Sequence, residues 1–383
     1  MDFSLTEEQK MLQQRIKEFA RKELEPLALE MEEREEFPME NFKKLAALGY
    51  AGATIPEKYG GSGLDKVSYS IAIEEISRAC PSTGGIFSTL NSLVCENLHH
   101  YASEEQRQKY LIPLAKGEKI GAFGLTEANA GSDASSLETT AAKDGDDYLL
   151  NGSKIFITNG AEADVIIVFA TIDRGLGYKG ITAFIVEKDS SDLSIGRKFK
   201  KAGMRACTQH ELVFKDCRVP AVNRIDEEGS GFRIALGTID MGRIGIASQG
   251  VGIARGAYET ALAYAKERQQ FGQAIADFQA IQWMLVDMAT KVDAARLLTH
   301  RAAYMMDQDL PFSKEAAMAK LYATETASEV GTKAVQILGG VGYMTDSRAQ
   351  MYWRAAKLTE IYEGTSEIQR LVIAREILRE NLD

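Results

Sequence analysis

The chain has 383 residues and 45% hydrophobic content, which is enough for about two to three domains with sizeable cores. Its 55 acidic side chains outnumber its 45 basic side chains, and the net charge of -10 opposes broad attraction to nucleic acid or to an anionic membrane surface. Neither nucleic acid nor a membrane is therefore expected as a partner.

No segment has the pattern of a targeting signal or of a membrane span. The N-terminus lacks a basic region followed by an apolar stretch, and no apolar run approaches the length that crosses a bilayer. We therefore expect a cytoplasmic protein. The four cysteines form no C-x-x-C pair and the four histidines form no H-E-x-x-H motif, so the sequence predicts neither a disulfide framework nor a metal site.

Helical patterns dominate the first third of the chain. Thr6 and Gln9 have the spacing of a capping box, and apolar residues then recur at intervals of four and three. A turn-rich connection with several glycines, residues 48–64, separates two helical stretches. We predict an N-terminal α-helical domain over residues 1–120.

Strand patterns then replace helical ones. Valine, isoleucine, phenylalanine and threonine cluster in the runs KIFIT, DVIIVFAT, GITAFIVE and HELVFKD, which are separated by Asn-Gly pairs and glycine-rich turns. This pattern predicts a central antiparallel β-barrel-like domain over residues 121–228.

Helical periodicity returns over residues 229–383. Apolar residues alternate spacings of three and four, as in a helix packed in a bundle: Phe278, Ile281, Leu285, Met288, Val292 and Ala295. We predict a C-terminal four-helix bundle. The complete fold class is then α+β and mostly α, with a sheet between two helical domains.

The segment GLGYKG, residues 175–180, matches the dinucleotide-binding fingerprint G-x-G-x-x-G. That fingerprint works only where the third glycine opens a helix that faces a pyrophosphate, whereas a strand pattern, ITAFIVE, follows here. We therefore interpret the segment as a loop that joins two strands.

Two segments of the sheet domain carry ligand-binding chemistry. In FGLTEANAGSD, residues 123–133, the hydroxyls of Thr126 and Ser132 can donate hydrogen bonds, although an ordinary polar loop has the same composition. In KIFITNG, Phe156 and Thr158 are two residues apart and share one face of a strand, although a core ring beside an edge hydroxyl is the commoner explanation.

Two further segments lie in the C-terminal helical region. ERQQFGQ has Arg268 and Phe271 before Gly272, which alone indicates a charged last helical turn and a C-cap. IYEGTSEIQR places Glu363 between an aromatic residue and a glycine, where a helical pattern halts and restarts. Such a glutamate is either solvated in a turn or a base directed into a pocket.

Taken in chain order, six segments resemble signatures of the acyl-CoA dehydrogenase family, above all its short-chain, butyryl-CoA type members. They are FGLTEANAGSD, KIFITNG, IDMGR, ERQQFG, QILGGVGY and YEGTSEIQR. The resemblance spans nearly the whole chain. It implies a homotetramer that holds one FAD per subunit between the sheet domain and the C-terminal bundle.

The resemblance also implies which residues contact FAD. In the sheet domain these are Phe123, Leu125, Thr126, Ser132, Phe156 and Thr158. The pyrophosphate and adenosine of a neighbouring subunit's FAD would be served by Arg268, Phe271, Gln279, Gln336 and Gly340, and Thr365 and Glu367 would lie beside the cofactor.

By the same resemblance, Glu363 is the base that removes the α proton of an acyl-CoA thioester, while a β hydride goes to the flavin. The backbone N–H of Glu363 and a ribityl hydroxyl of FAD would donate to the thioester oxygen. Other members of the family carry their base at the position of Gly242, so Glu363 has no rival here. The expected substrate contacts are Ser132, Asp240, Arg243, Tyr362 and Gly364.

Electron-transferring flavoprotein is the electron acceptor that the resemblance implies. Three alternatives remain open at the level of sequence: an acyl-CoA oxidase that uses oxygen, a branched-chain acyl-CoA dehydrogenase, and a non-catalytic helical scaffold. Short acyl chains are favoured by overall likeness alone.

Overall fold

The first helix begins where the sequence predicts it. In the computed structural model, which describes residues 4–379, the backbone N–H of Gln9 donates to Thr6 Oγ1 at 3.2 Å and the backbone N–H of Thr6 donates to Gln9 Oε1 at 3.1 Å. The predicted capping box is confirmed. The N-terminal helices are α1 Glu7–Phe19, α2 Ala28–Arg34, α3 Met39–Ala47, α4 Lys66–Ala79, α5 Pro81–Ser88, α6 Glu96–Tyr101, α7 Glu104–Gln106 and α8 Ile112–Ala115.

A wide π turn, Thr89–Cys95, joins α5 to α6 into one buried helical rod. Its residue Asn91 donates to the carbonyls of Tyr50 and Phe87, both at 2.9 Å, and accepts from the backbone N–H of Ala53 at 2.7 Å. The turn-rich connection is thereby fixed against the interior of the helical region, because a buried amide must find partners for its polar atoms.

The central sheet has eight strands in the order β6-β7-β3-β2-β4-β5-β8, with β1 beside β4. The strands are β1 Gly121–Gly124, β2 Thr140–Asp144, β3 Asp147–Thr158, β4 Val165–Thr171, β5 Ile181–Glu187, β6 Leu193–Lys198, β7 Gln209–Pro220 and β8 Arg224–Ile225.

Most strand pairs are antiparallel as predicted, but β1 runs parallel to β4, and β2 meets β4 in a parallel pair at Thr140 and Thr171. The purely antiparallel expectation therefore needs this correction. A parallel pair requires a long crossover connection, and the excursion of the chain through β2 and β3 supplies it.

The glycine-rich segment at 175–180 lies in a run of 3-10 turns, Arg174–Gly180, between β4 and β5. These two strands pair antiparallel along their whole length, from Val165 opposite Glu187 to Thr171 opposite Ile181. The predicted strand-to-strand connection is confirmed, and no helix N-terminus faces a pyrophosphate here.

The C-terminal part is again helical, and the predicted sequence of helices, sheet and helices is confirmed. Its elements are α9 Gly231–Glu267, β9 Gln269–Gln270, β10 Gln273–Ala274, α10 Gln279–Asp307, α11 Ser313–Leu338, α12 Arg348–Thr359 and α13 Ser366–Ile377. The predicted domain limits 1–120, 121–228 and 229–383 remain predictions. Within residues 4–379, no helix is both long and apolar enough to cross a membrane.

Helix α9 is the central element of this part, and its glycines allow neighbouring helices to approach closely. A Cβ on Gly252 would overlap the carbonyl oxygen of Glu74 on α4 and would lie 2.8 Å from Ser77 Cβ. A Cβ on Gly256 would lie 2.5 Å from the ring of Tyr352 on α12. Side chains at these positions are excluded by atoms of the facing helices.

The connection from α9 to α10 differs from the predicted helix C-cap. The helix ends at Glu267, and β9 and β10 form a short hairpin. Phe271 and Gly272 occupy its turn with φ values of 53° and 80°. Two consecutive residues with positive φ are typical of a type I′ turn, which matches the twist of a hairpin.

We expect Gly252→Ala to lower the melting temperature by several degrees. In an open helix this change stabilises, but here the added methyl group meets the backbone of α4, and overpacking costs about 1–3 kcal/mol. Differential scanning calorimetry of the purified protein measures the effect. Gly131→Ala is the control, because nothing lies within 4 Å of a Cβ built there. Equal melting of the two variants would contradict the proposed close approach.

Candidate active site

The turn between α12 and α13 presents Glu363 to the interior of the protein. Glu363 has a φ of 51° and Gly364 a φ of 92°. The side chain of Thr365 then caps α13 by accepting from the backbone N–H of Ile368 at 3.3 Å. A positive φ is strained for glutamate, and such strain persists where the surrounding structure holds the residue in place.

The carboxylate of Glu363 is buried against α9. Both of its oxygens are buried and neither has a hydrogen-bond partner. A Cβ on Gly242 would overlap Oε2 and would lie 2.9 Å from Leu93 Cδ2. The missing side chain of Gly242 therefore makes the space that the carboxylate occupies.

Burial raises the pKa of Glu363 from 4.5 to about 7, because a desolvated carboxylate is costly to ionise. The positive charges of Lys320 and Arg243 oppose that rise. The group therefore exchanges its proton near neutral pH, which is the property that a general base requires.

Two buried cations flank the carboxylate. Arg243 on α9 forms an ion pair with Asp240 one turn earlier, and burial lowers the pKa of its guanidinium. Lys320 on α11 is fully buried, and its ammonium donates to the carbonyl of Gly364 at 2.7 Å. Burial lowers the pKa of Lys320 to about 8.

Neighbouring amides hold the turn on both sides. The phenol of Tyr362 donates to Gln249 Oε1, and Gln249 Nε2 donates to the carbonyl of Pro81 at 3.0 Å. On the other side Gln369 Nε2 donates to the carbonyl of Gly364 at 2.9 Å. The predicted residues Asp240, Arg243, Tyr362, Glu363 and Gly364 are thus brought together, with Thr365 beside them and Glu367 exposed in the first turn of α13.

A second cluster lies on the sheet and contains Phe123, Leu125, Thr126, Ser132, Phe156 and Thr158. The backbone N–H of Ile155 donates to the carbonyl of Thr126 at 2.9 Å, which joins the two segments. Beneath them a buried ion pair links Lys154 to Glu127 at 2.6 Å, and Lys154 also donates to the carbonyl of Leu125 at 3.1 Å. The shape of the loop is fixed by these contacts.

Phe156 has an unusual conformation for a large apolar residue. Its φ is 57°, it lies at an irregularity in the pairing of β3 with β7, and half of its surface is exposed. The ring contacts Phe199 with centroids 4.7 Å apart. The bulge interrupts strict alternation, yet Phe156 and Thr158 remain more exposed than Ile157 between them, as the strand pattern predicted.

The residues of this second cluster fit a flavin. A large exposed ring on a strained backbone offers an apolar face, and the same strand and the loop bonded to it carry the hydroxyls of Thr126, Ser132 and Thr158. Nothing lies within 4 Å of a Cβ on Gly131, so the loop leaves space for a flat ligand close to its backbone.

The segment from 199 to 208 joins the sheet cluster to the glutamate. The backbone N–H of Asn159 donates to the carbonyl of Thr208 at 3.2 Å, next to Thr158. On the helical side the guanidinium of Arg354 on α12 donates to the carbonyl of Ala202 at 2.8 Å. The two clusters thus border the same junction between sheet and bundle.

The remaining predicted residues form a third, exposed group: Arg268, Phe271, Gln279, Gln336 and Gly340. Ion pairs between Asp287 and Lys333 and between Lys291 and Glu329 show that α10 and α11 run antiparallel. The start of α10 and the end of α11 therefore lie at the same end of the bundle.

This third group lies far from the glutamate within one chain. Gln336 is 16 residues after Lys320 on the same helix, which corresponds to about 24 Å at 1.5 Å per residue. The ring of Phe271 is 94% exposed at the hairpin tip. This placement agrees with the expectation that the group serves a neighbouring subunit, which remains a prediction.

Three residues around the glutamate were missed by the sequence analysis: Gln249, Lys320 and Gln369. Each lies on a regular helix, and polar side chains at such positions usually face solvent. No local pattern distinguishes them from surface residues. Only the three-dimensional packing of α9, α11 and α13 brings them to the turn.

Comparison with known proteins is consistent with this fold and site. Sequence profiles of the N-terminal, middle and C-terminal domains of acyl-CoA dehydrogenases match residues 6–118, 122–217 and 229–378. The chain is 52% identical over 379 residues to a short-chain specific acyl-CoA dehydrogenase of Clostridium acetobutylicum, covering 99% of this chain and 100% of the relative.

Two solved structures superpose on nearly the whole chain. One is the butyryl-CoA dehydrogenase of Megasphaera elsdenii, with a TM-score of 0.97, 44% identity and coverage of 99% of this chain and 100% of that chain. The other was solved in a study of the electron transferring flavoprotein of Acidaminococcus fermentans. It has a TM-score of 0.98, 48% identity and the same coverage.

Fold and site together define a flavin-dependent oxidoreductase. The chain belongs to the acyl-CoA dehydrogenase family.

We expect Glu363→Gln to be more stable than the natural chain above neutral pH. The folded state keeps the carboxyl proton between pH 4.5 and about 7, where the unfolded state has already lost it, so stability falls as the pH rises through this window. The difference at pH 8 is on the order of 3 kcal/mol and vanishes below pH 4.5.

Thermal unfolding at several pH values measures this difference. Glu8→Gln on the exposed face of α1 is the matched control and should show no pH-dependent gain. A Glu363→Gln variant that melts with the natural chain at pH 8 would contradict the desolvated carboxylate.

Proposed function

We propose that this chain oxidises short-chain acyl-CoA thioesters to trans-2-enoyl-CoA, with Glu363 as the base that removes the α proton. The observation that supports this most is the buried carboxylate, which has no hydrogen-bond partner and a pKa raised to about 7. An unsatisfied buried carboxylate destabilises the fold, and catalysis explains why it is present.

The α C–H of a thioester is a weak acid, so the base must be placed against it and charge on the thioester oxygen must be stabilised. Glu363 approaches from the turn while Gly364 leaves space, because it has no side chain. The backbone N–H of Glu363 is the donor that this chain supplies to the thioester oxygen. Tyr362, held by Gln249, closes one side of the site to water.

FAD is the cofactor of this enzyme class, and when bound it accepts the hydride from the β carbon of the acyl chain. On the sheet side, the residues that would hold the flavin are Leu125 and Thr126 in the loop and Phe156 and Thr158 on the strand. Ser132 is proposed to contact both cofactor and substrate. The third group, from Arg268 to Gly340, is proposed to bind the distal half of a neighbour's FAD.

A small cavity next to α9 is lined in part by Tyr69, Ser92, Met241 and Ile244, and the ion pair between Lys66 and Glu96 also lines it. It has room for about one water molecule. The preference for a short acyl chain is therefore proposed from the short-chain specific relatives of this chain. Asp240 and Arg243, on the same face of α9, are proposed to line the channel that leads to the cavity.

The proposed assembly is a homotetramer in the cytoplasm that passes its electrons to electron-transferring flavoprotein. The similar structure from a study of the electron transferring flavoprotein of Acidaminococcus fermentans supports this electron acceptor. The exposed ring of Phe271 supports a subunit contact at the hairpin. The location stays a prediction.

The role of the glutamate is tested by Glu363→Gln. The variant should retain bound FAD, because the flavin-binding cluster is untouched, but butyryl-CoA added without oxygen should no longer bleach the flavin absorbance. Glu8→Gln, at an exposed position on α1, should still be bleached. Bleaching of the Glu363→Gln variant at the natural rate would refute the assignment.

Acyl chain and electron acceptor are tested by steady-state kinetics. We expect kcat/KM to be highest for butyryl-CoA and to fall at least tenfold for octanoyl-CoA and isovaleryl-CoA, as the similarity to short-chain specific dehydrogenases indicates. Peroxide formed in the absence of an electron carrier measures oxidase activity. Stoichiometric formation of peroxide would show that the chain is an acyl-CoA oxidase and not a dehydrogenase.

A further inference from the structure

Lys320 is a buried cation that the proposed reaction does not use. The side chain extends from α11 under the active-site turn and is fully buried. Its ammonium makes a hydrogen bond to the carbonyl of Gly364 at 2.7 Å, which is a neutral acceptor. Burying an ammonium without a carboxylate partner costs several kcal/mol, so its presence requires an explanation.

A second fully buried lysine shows what ordinary pairing looks like in this protein. Lys154 donates to the carboxylate of Glu127 at 2.6 Å, and Glu127 also accepts from the backbone N–H groups of Glu138 and Thr139 at 2.5 and 3.0 Å. That lysine is neutralised by an adjacent carboxylate. Within the described part of the chain, Lys320 has no such ion pair.

The charge that attracts Lys320 most strongly is the carboxylate of Glu363. Arg243 on α9 repels it, and Glu360 and Glu367 beside the turn attract it more weakly. Two phenols also lie near the glutamate, Tyr362 within the turn and Tyr69 on α4. Burial raises the pKa of both, and the charge of Glu363 raises it further.

Arg243 contributes less net charge at the glutamate, because its own ion pair with Asp240 offsets it. Lys320 has no carboxylate of its own to offset it. The positive charge near the buried carboxylate that no other carboxylate neutralises is therefore that of Lys320 on α11.

We propose that Lys320 is a positioning residue for the base: its ammonium anchors the turn through the Gly364 carbonyl, and its charge stabilises the ionised form of Glu363. This inference rests on the proposed function of Glu363. Without the lysine, only Arg243, whose charge Asp240 offsets, would oppose the effect of burial. A larger fraction of Glu363 would then be protonated at neutral pH and unable to accept the α proton.

The test is the pH dependence of kcat/KM for butyryl-CoA in Lys320→Met, which keeps the length of the side chain and removes the charge. Loss of an adjacent opposite charge raises the pKa of a carboxyl group by about 1–3 units. We expect the apparent pKa of the acidic limb to rise by at least about one unit. As a result, kcat/KM falls about tenfold at pH 6 and recovers toward pH 9.

Gln369→Leu is the matched control. It removes the other hydrogen bond to the same Gly364 carbonyl but leaves the charge of Lys320 in place. We expect a lower plateau of kcat/KM with an unmoved acidic limb. Lys320→Arg should keep the limb within about half a unit of the natural position, because the charge is retained.

A second readout does not require turnover. Infrared titration of the protonated carboxyl band that disappears in Glu363→Gln reports the ionisation of this group directly. If Lys320→Met does not fold, Lys320→Gln, which is neutral but keeps an N–H donor, takes its place in both measurements.

Three outcomes would overturn the proposal. In the first, the neutral variants of Lys320 leave the pKa of the acidic limb and the titration of the carboxyl band unchanged. In the other two, Gln369→Leu or Lys320→Arg shifts the pKa of the limb as much as Lys320→Met does. Failure of the proposed function looks different. In that case butyryl-CoA is not oxidised by the natural chain, whereas the infrared titration still reports whether Lys320 controls the carboxyl group.

Discussion

The close packing of α9 against its neighbours is the constraint on which the rest of the structure depends. At Gly252 and Gly256 the helix touches the backbone of α4 and the ring of Tyr352. At Gly242 the same absence of a side chain admits the carboxylate of Glu363. One glycine-lined helix thus joins the N-terminal helices, the C-terminal bundle and the reactive group, and a change in its position would be felt at all three.

The electrostatics of the site follow from this packing. A carboxylate pressed against a helix backbone is cut off from water, and its neutral form is favoured for that reason. Positive charges on two helices, α9 and α11, oppose this effect. The turn is also held by Gln369 on α13, which donates to it, and by Gln249 on α9, which accepts from Tyr362. The strained backbone at Glu363 and the unneutralised lysine near it both destabilise the fold. Together they position a base that ionises near neutral pH.

Much of the fold follows from the sequence because periodicity reports which face of an element is buried. The seam from Leu285 to Ala295 is buried as the spacing predicts, and the strand after the glycines at 175–180 excludes a dinucleotide-binding turn. The parallel pairing of β1 with β4 was missed, because a four-residue strand does not encode the direction of its partner. The turn at Phe271 was missed because a positive φ at phenylalanine contradicts its ordinary preference.

The candidate site likewise has residues that the sequence predicts and residues that only the fold brings together. The resemblance of linear motifs points to Glu363, Arg243 and the flavin-facing segments, which are local in sequence. Lys320 and Gln249 lie 43 and 114 residues before the glutamate on regular helices, and only tertiary packing brings them to it.

The space at Gly242 limits where an enzyme with this fold can carry its base. A side chain at 242 would displace the carboxylate of Glu363 from the position it holds here. A base on the helix at 242 and a base at 363 in this orientation are therefore alternatives for the same volume.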